Sequence, residues 1–227
     1  MKLKLSAPFV LTFLALTFTM HEAHEIVHTS VGRLICGCWG QRDFNVWELC
    51  EGCSEQKPIS VIATFAGPVF TYIMIGLGTV FIGRDKTNEQ KAMGFSLIFA
   101  NIPFARIVTA AMGGGDEVWG LHLLLKDRTL AWTAGLLIII AITIIPLWRS
   151  YTLITNKWKA GWFLLFLIAP VVMDLLVVLG VMNTLLEKGI FATSWIAGSP
   201  ILVTVWTFFV TGMFLLTRKN IYKLSQP

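Results

Sequence analysis

Residues 130–148 read LAWTAGLLIIIAITIIPLW, nineteen residues without a charge, held between Arg128 and Arg149. A helix of that length rises about 1.5 Å per residue and covers most of a hydrocarbon core about 30 Å thick. A backbone crossing lipid must satisfy its own hydrogen bonds, so the run predicts a transmembrane helix. Working outward, five more apolar stretches are marked at about 7–31, 59–82, 92–112, 161–182 and 200–217, with Trp148, Trp158, Trp162 and Trp195 near their ends, where amphipathic rings settle. The composition agrees. Of 227 residues, 56% are hydrophobic and 14% charged, against about 25% charged in a soluble domain. The reading is an all-α, polytopic membrane protein with about six transmembrane helices. It excludes a soluble single-core enzyme, a nucleic-acid module and a disulfide-rich secreted miniprotein.

The net charge of +5 reflects basic residues that bracket the apolar runs rather than a nucleic-acid surface. The side of the amino terminus holds eleven Lys and Arg, among them Lys2, Lys4, Arg84, Lys91, Arg149 and Arg218. The other side holds six (Arg33, Arg42, Lys57, Lys126, Arg128 and Lys188), and Arg106 lies inside a span. This asymmetry places both termini in the cytoplasm and makes the lipid bilayer the main partner. The start resembles a secretory signal, with Lys2 and Lys4 before an apolar run. No small-residue cleavage site precedes Met20-His21-Glu22, so the segment is expected to stay as the first span.

Cys36, Cys38, Cys50 and Cys53 all lie in the first connection, residues 32–58. If that loop faces an oxidising compartment, one or two disulfides pin it as a small cap. If it faces the cytoplasm, the four thiols could instead hold structural zinc, although Cys36-x-Cys38 is tighter than the usual knuckle spacing.

The stretch richest in chemistry is His21-Glu22-Ala23-His24-Glu25-Ile26-Val27-His28, at the far end of the first span. Ionisable groups at membrane depth cost at least a few kcal/mol each unless partnered, and a shared metal is the simplest partner. At 100° per residue His21, His24 and His28 fall within an arc of about 60°. His24-Glu25-Ile26-Val27-His28 matches His-Glu-x-x-His, in which two imidazoles on one helix face coordinate zinc. The Glu, rotated about 100° away, takes the proton from the water that the metal activates. The bland alternative is a polar helix end solvated at the interface.

A catalytic zinc needs a third protein ligand at the same depth. The third span ends in Gly113-Gly114-Gly115-Asp116-Glu117 on the same side, so Asp116 is the candidate, with Glu117, His122 and His21 as rivals. Arg106, ten residues before Asp116, could orient it or stabilise an oxyanion. Equally, it could form a structural pair with Asp174 of the fifth span.

These motifs resemble the site-2 protease family of intramembrane zinc metalloproteases, which place His-Glu-x-x-His on a first core helix, Gly-Pro on a second and an aspartate ligand on a third. Here the corresponding residues are His24 to His28, then Ala66-Gly67-Pro68, then Asn101, Pro103 and Asp116. The resemblance implies a three-helix metalloprotease core over residues 1–120, with 121–227 as accessory helices of one membrane domain. It also implies Zn2+ held by His24, His28 and Asp116, with Glu25 as general base. The substrate would be a transmembrane protein or peptide cut in or near its span. The chain departs from the family in having Thr71 where an Asn usually follows Gly-Pro, glycines before Asp116 and Glu117 after it, and no PDZ-like insertion. Family members hold zinc toward the cytoplasmic face, whereas the Lys and Arg count puts His24 near the opposite face. The side therefore stays open. A membrane zinc transporter or metal-binding protein is the alternative, since His-Glu runs also resemble those of ZIP-type transporters. Glu25-x-x-His28 fits only half of a di-iron site.

Overall fold

The computed structural model describes residues 1–225. The chain is helical throughout, and the described residues contain no strand longer than an isolated bridge. Helix α1 (Ala7–Cys36) starts on an N-cap at Ser6, whose hydroxyl accepts from the Phe9 amide, and stops at Gly37, where φ is 86°. The first connection therefore begins at residue 37 and not 32, because a left-handed residue ends the helix there. It contains the single turn α2 (Cys53–Gln56) and a 3₁₀ turn at Pro58–Ser60.

Helix α3 (Val61–Phe81) returns across the bundle. The third apolar stretch is two helices, α4 (Asn88–Ala100) and α5 (Pro103–Ala111), separated at Asn101–Ile102. Ile102 has φ 41°, and Pro103 supplies no amide to an α4 ladder, so a straight helix cannot pass. Helix α6 (Asp116–Leu125) was not expected from the apolar runs and straddles the proposed boundary at residue 120. Helix α7 (Arg128–Leu153) is capped by the Asp127 carboxylate, which accepts from the Leu130 amide at 3.0 Å. The fifth span is longer than 161–182. Helix α8 (Lys159–Asp174) passes into a π-helical segment (Leu175–Met182) and then α9 (Asn183–Glu187). Helix α10 (Ile201–Thr217) continues as a 3₁₀ helix to Leu224.

Five of these segments are long and apolar enough to cross a membrane: Pro58–Phe81, Asn88–Ala111, Arg128–Leu153, Lys159–Glu187 and Ile201–Leu224. Helix α1 is as long but carries the His21–His28 cluster. The protein is an integral membrane protein on this evidence, and both chain ends lie at one end of the bundle. There the Lys4 amide donates to the Leu224 carbonyl at 3.0 Å, and the Thr155 amide donates to the Met1 carbonyl at 3.0 Å. That end is packed by aromatic rings from α1, α4 and α8. Phe13 and Phe95 meet Phe166 edge to face at centroid distances of 5.5 and 4.9 Å.

The other end carries a cap closed by two disulfides, Cys36–Cys53 and Cys38–Cys50. All four cysteines are consumed, so the zinc-knuckle alternative is excluded. Arg42 anchors the cap downward. Its guanidinium donates to Glu22 of α1 at 3.1 Å and to Ser199 at 2.8 Å, and Thr207 of α10 donates to the same Glu22 oxygen at 2.6 Å. Both charges are buried. Removing one partner alone leaves an uncompensated ion. Arg42→Ala is therefore expected to destabilise the protein by about 3–5 kcal/mol in detergent unfolding. A Glu22→Gln, Arg42→Met double variant should recover much of that loss. Equal stability of the single and double variants would contradict the coupling.

Candidate metal centre

Helix α1 turns His24 and His28, one helical turn apart, toward α3, and the sequence of α3 makes room for them. A methyl group at Gly67 would stand 2.6 Å from His24 Cε1 and closer still to His28 Nε2, so only a glycine lets α3 pass the two rings. The neighbours of Gly67 on α3 then fix the rings. His28 Nδ1 lies 2.6 Å from the Ala63 carbonyl, which can only accept, so Nδ1 carries the proton and Nε2 presents a lone pair. His24 Nδ1 lies 3.0 Å from the Thr71 hydroxyl, which orients that ring in the same sense. From the cap, Trp47 stacks on His28 with centroids 4.5 Å apart and planes 10° from parallel.

Asp116 comes from the first turn of α6. Gly113 and Gly115 have φ of 84° and 88°, backbone that L side chains rarely adopt, and this tight turn delivers the carboxylate at the helix N-terminus, where the dipole favours it. Asp116 Oδ2 lies 3.2 Å from His24 Nε2 and 3.5 Å from His28 Nε2, and the two Nε2 atoms are 3.0 Å apart. Ligand atoms about 2.0–2.1 Å from a tetrahedral zinc sit about 3.3–3.4 Å from one another. The three edges straddle that value. His24, His28 and Asp116 thus form a group able to hold a metal ion.

The remaining candidates surround this triangle without joining it. Glu25 is buried, lines a cavity of about 390 Å³ with His24 and Asp116, and has one carboxylate oxygen, Oε2, with no hydrogen-bond partner. Arg106 lines the same cavity. Its Nη1 reaches Asp116 at 3.5 Å and Glu117 at 3.2 Å, and its Nη2 lies 2.8 Å from both ring nitrogens of His24, against the ring face. The orienting role expected of Arg106 is what the geometry contains. The Arg106–Asp174 pair is not. Asp174, the last residue of α8, instead meets His21 Nδ1 of α1 at 2.8 Å. His21 is therefore spent on Asp174, and Glu117 on Arg106 and the Tyr72 hydroxyl, which donates to it. His122 packs on Trp119 at a centroid distance of 6.0 Å and takes no part in the triangle.

Two contacts of the rings were not foreseen in the sequence. Thr71, noted there only as a departure at Gly-Pro, meets His24 Nδ1, and Trp47 sits in the cap, far from any motif. A second cavity of about 590 Å³ runs between the cap and α6, lined by Trp47, Glu48, Glu51, Trp119 and Leu123. It shares Asn45 and Asp116 with the first cavity, so space opens on two sides of the triangle.

No family model matches the chain, and neither does any curated protein or solved structure compared with it.

If the rings are held as described, Gly67→Ala should cost most of the bound metal while the protein remains folded. Thr71→Val should weaken retention by about 10–100-fold, the usual price of losing a ligand's own support. Elemental analysis after gel filtration in detergent measures both. Full metal content in Gly67→Ala would contradict this geometry.

Proposed function

We propose that the protein is an intramembrane zinc metalloprotease, similar in its centre to the site-2 protease family, that hydrolyses a peptide bond in or beside a transmembrane segment. The observation that carries the reading is the His24, His28 and Asp116 triangle, with the unpartnered Glu25 carboxylate beside it in one cavity. Imidazole with carboxylate and an open position is the donor set of catalytic zinc. Zinc bound there supplies Lewis-acid polarisation and lowers the pKa of a water toward about 7.

The chain's own residues do the rest. Glu25 accepts a proton from the attacking water, the water oxygen bonds to the carbonyl carbon, the C–N bond breaks, and Glu25 returns the proton to the departing amine. Arg106 keeps Asp116 in place and puts a guanidinium beside the carbonyl oxygen as it gains negative charge. The cavities on either side of Asp116 give an extended peptide room to enter and leave, which favours internal cleavage over trimming of an end.

The cap also supports a side. Its two disulfides persist in an oxidising compartment, and Trp47 of the cap lies on His28. The centre then opens away from the cytoplasm and both chain ends lie in it, as the Lys and Arg asymmetry implies.

His21, which lines the same cavity and pairs with Asp174, is a second ionisable station there and is what favours a zinc transporter instead. Glu25→Gln separates the two readings. It should keep stoichiometric zinc and slow cleavage of a quenched fluorescent single-span peptide in phospholipid vesicles by about 10²–10⁴-fold. Cleavage at the wild-type rate in Glu25→Gln would overturn the protease reading. So would zinc flux into vesicles with none of a panel of such peptides cut.

A further inference from the structure

At the opposite end of the bundle from the metal centre, a cavity of about 770 Å³ opens between the end of α3, the start of α4 and the last turn of α7. Three cations line it, Arg84, Lys91 and Arg149, together with Trp148 and Thr152, and no carboxylate does. None of the three cations forms a salt bridge among the described residues. Lys91 Nζ donates to the Arg84 carbonyl at 3.1 Å, which ties α4 to the turn after α3 and leaves two of its three N–H groups free. The nearest acid along the chain, Asp85, lies outside the cavity and pairs with Lys86 at 3.3 Å.

Cations beside helix C-termini have an ordinary explanation, since each C-terminus carries roughly half a negative charge. Two such ends, of α3 and α7, offset about one of the three positive charges, and roughly two remain uncompensated around one concavity. Trp148 fixes the depth. It is 65% exposed at the end of a membrane-spanning helix, where indole rings settle among headgroups.

We propose that this cavity binds a phosphate-bearing anionic group, that of an anionic phospholipid headgroup, with Arg84, Lys91 and Arg149 as its ligands. Two arginines offer planar forks to phosphate oxygens and Lys91 a point charge. The chain ends lie on this side of the bundle, and anionic lipid collects in cytoplasmic leaflets, where basic pockets between transmembrane helices take such headgroups. Neither the metal nor proteolysis enters this inference, so the two stand or fall separately.

Native mass spectrometry of the detergent-solubilised protein tests it, with phosphatidylglycerol, phosphatidylcholine and inorganic phosphate as probes in separate arms. Phosphatidylglycerol is expected to bind at least about tenfold more tightly than phosphatidylcholine. That preference should vanish in Arg84→Gln, Lys91→Gln, Arg149→Gln and persist in Arg84→Lys, Arg149→Lys, with an unchanged gel-filtration profile and helical circular dichroism reporting that both variants are folded. If the triple variant does not fold, Arg149→Gln alone should lower the preference severalfold. Phosphatidylglycerol retained while millimolar phosphate fails to displace it supports the lipid. Phosphate binding alone, with no lipid preference, overturns the lipid assignment, and equal retention of both lipids, or a preference surviving the charge-removing variants, overturns the site.

Discussion

Two imidazole nitrogens, each with its lone pair turned toward one point, are held 3.0 Å apart inside a helical bundle, with a carboxylate oxygen 3.2 and 3.5 Å from them. Three such atoms converging at these distances in a low-dielectric interior could hold a cation between them. The elements around them serve that convergence: Gly67 admits the rings, the Ala63 carbonyl sets the tautomer of His28, the Thr71 hydroxyl orients His24, Trp47 covers one face, and the turn through Gly113 and Gly115 brings the carboxylate.

The rest of the bundle shows how a lipid-embedded chain tolerates so much charge. Glu22 is matched by Arg42, His21 by Asp174, and Arg106 by Asp116 and Glu117. The first two fix the cap and the fifth span against α1, where hydrophobic burial cannot discriminate between helix and lipid, and the third ties α5 to α6. Glu25 is the exception: it joins no ion pair among the described residues, and its buried Oε2 has no hydrogen-bond partner. Glu22 also has one unpartnered oxygen but is held through the other by Arg42, whereas Glu25 lies free beside the triangle.

Much of this was legible in the sequence because it depends on local rules. Long apolar runs mark spanning helices, and His-Glu-x-x-His fixes which side chains share a helix face, so α1 and the placing of His24 and His28 together, with Glu25 beside them, follow from spacing alone. Asp116 followed from reasoning about depth. What escaped depends on tertiary contact. Helix α6 is ten residues long and begins with Asp116-Glu117, so its periodicity carried little signal. The break between α4 and α5 rests on one residue, Ile102, with positive φ next to Pro103. Asp174 was paired with Arg106 because both were left over inside spans, but the packing of α8 against α1 puts it on His21. Neither the disulfide pairing nor the Trp47 stack has any signature in spacing.

X-ray absorption at the zinc edge of the purified protein addresses the centre most directly. Two imidazole nitrogens and one or two oxygens at about 2.0–2.1 Å, with no sulfur, are expected. Sulfur neighbours at about 2.3 Å, or an edge no stronger than that of the His24→Ala, His28→Ala protein, would contradict a metal held by His24, His28 and Asp116.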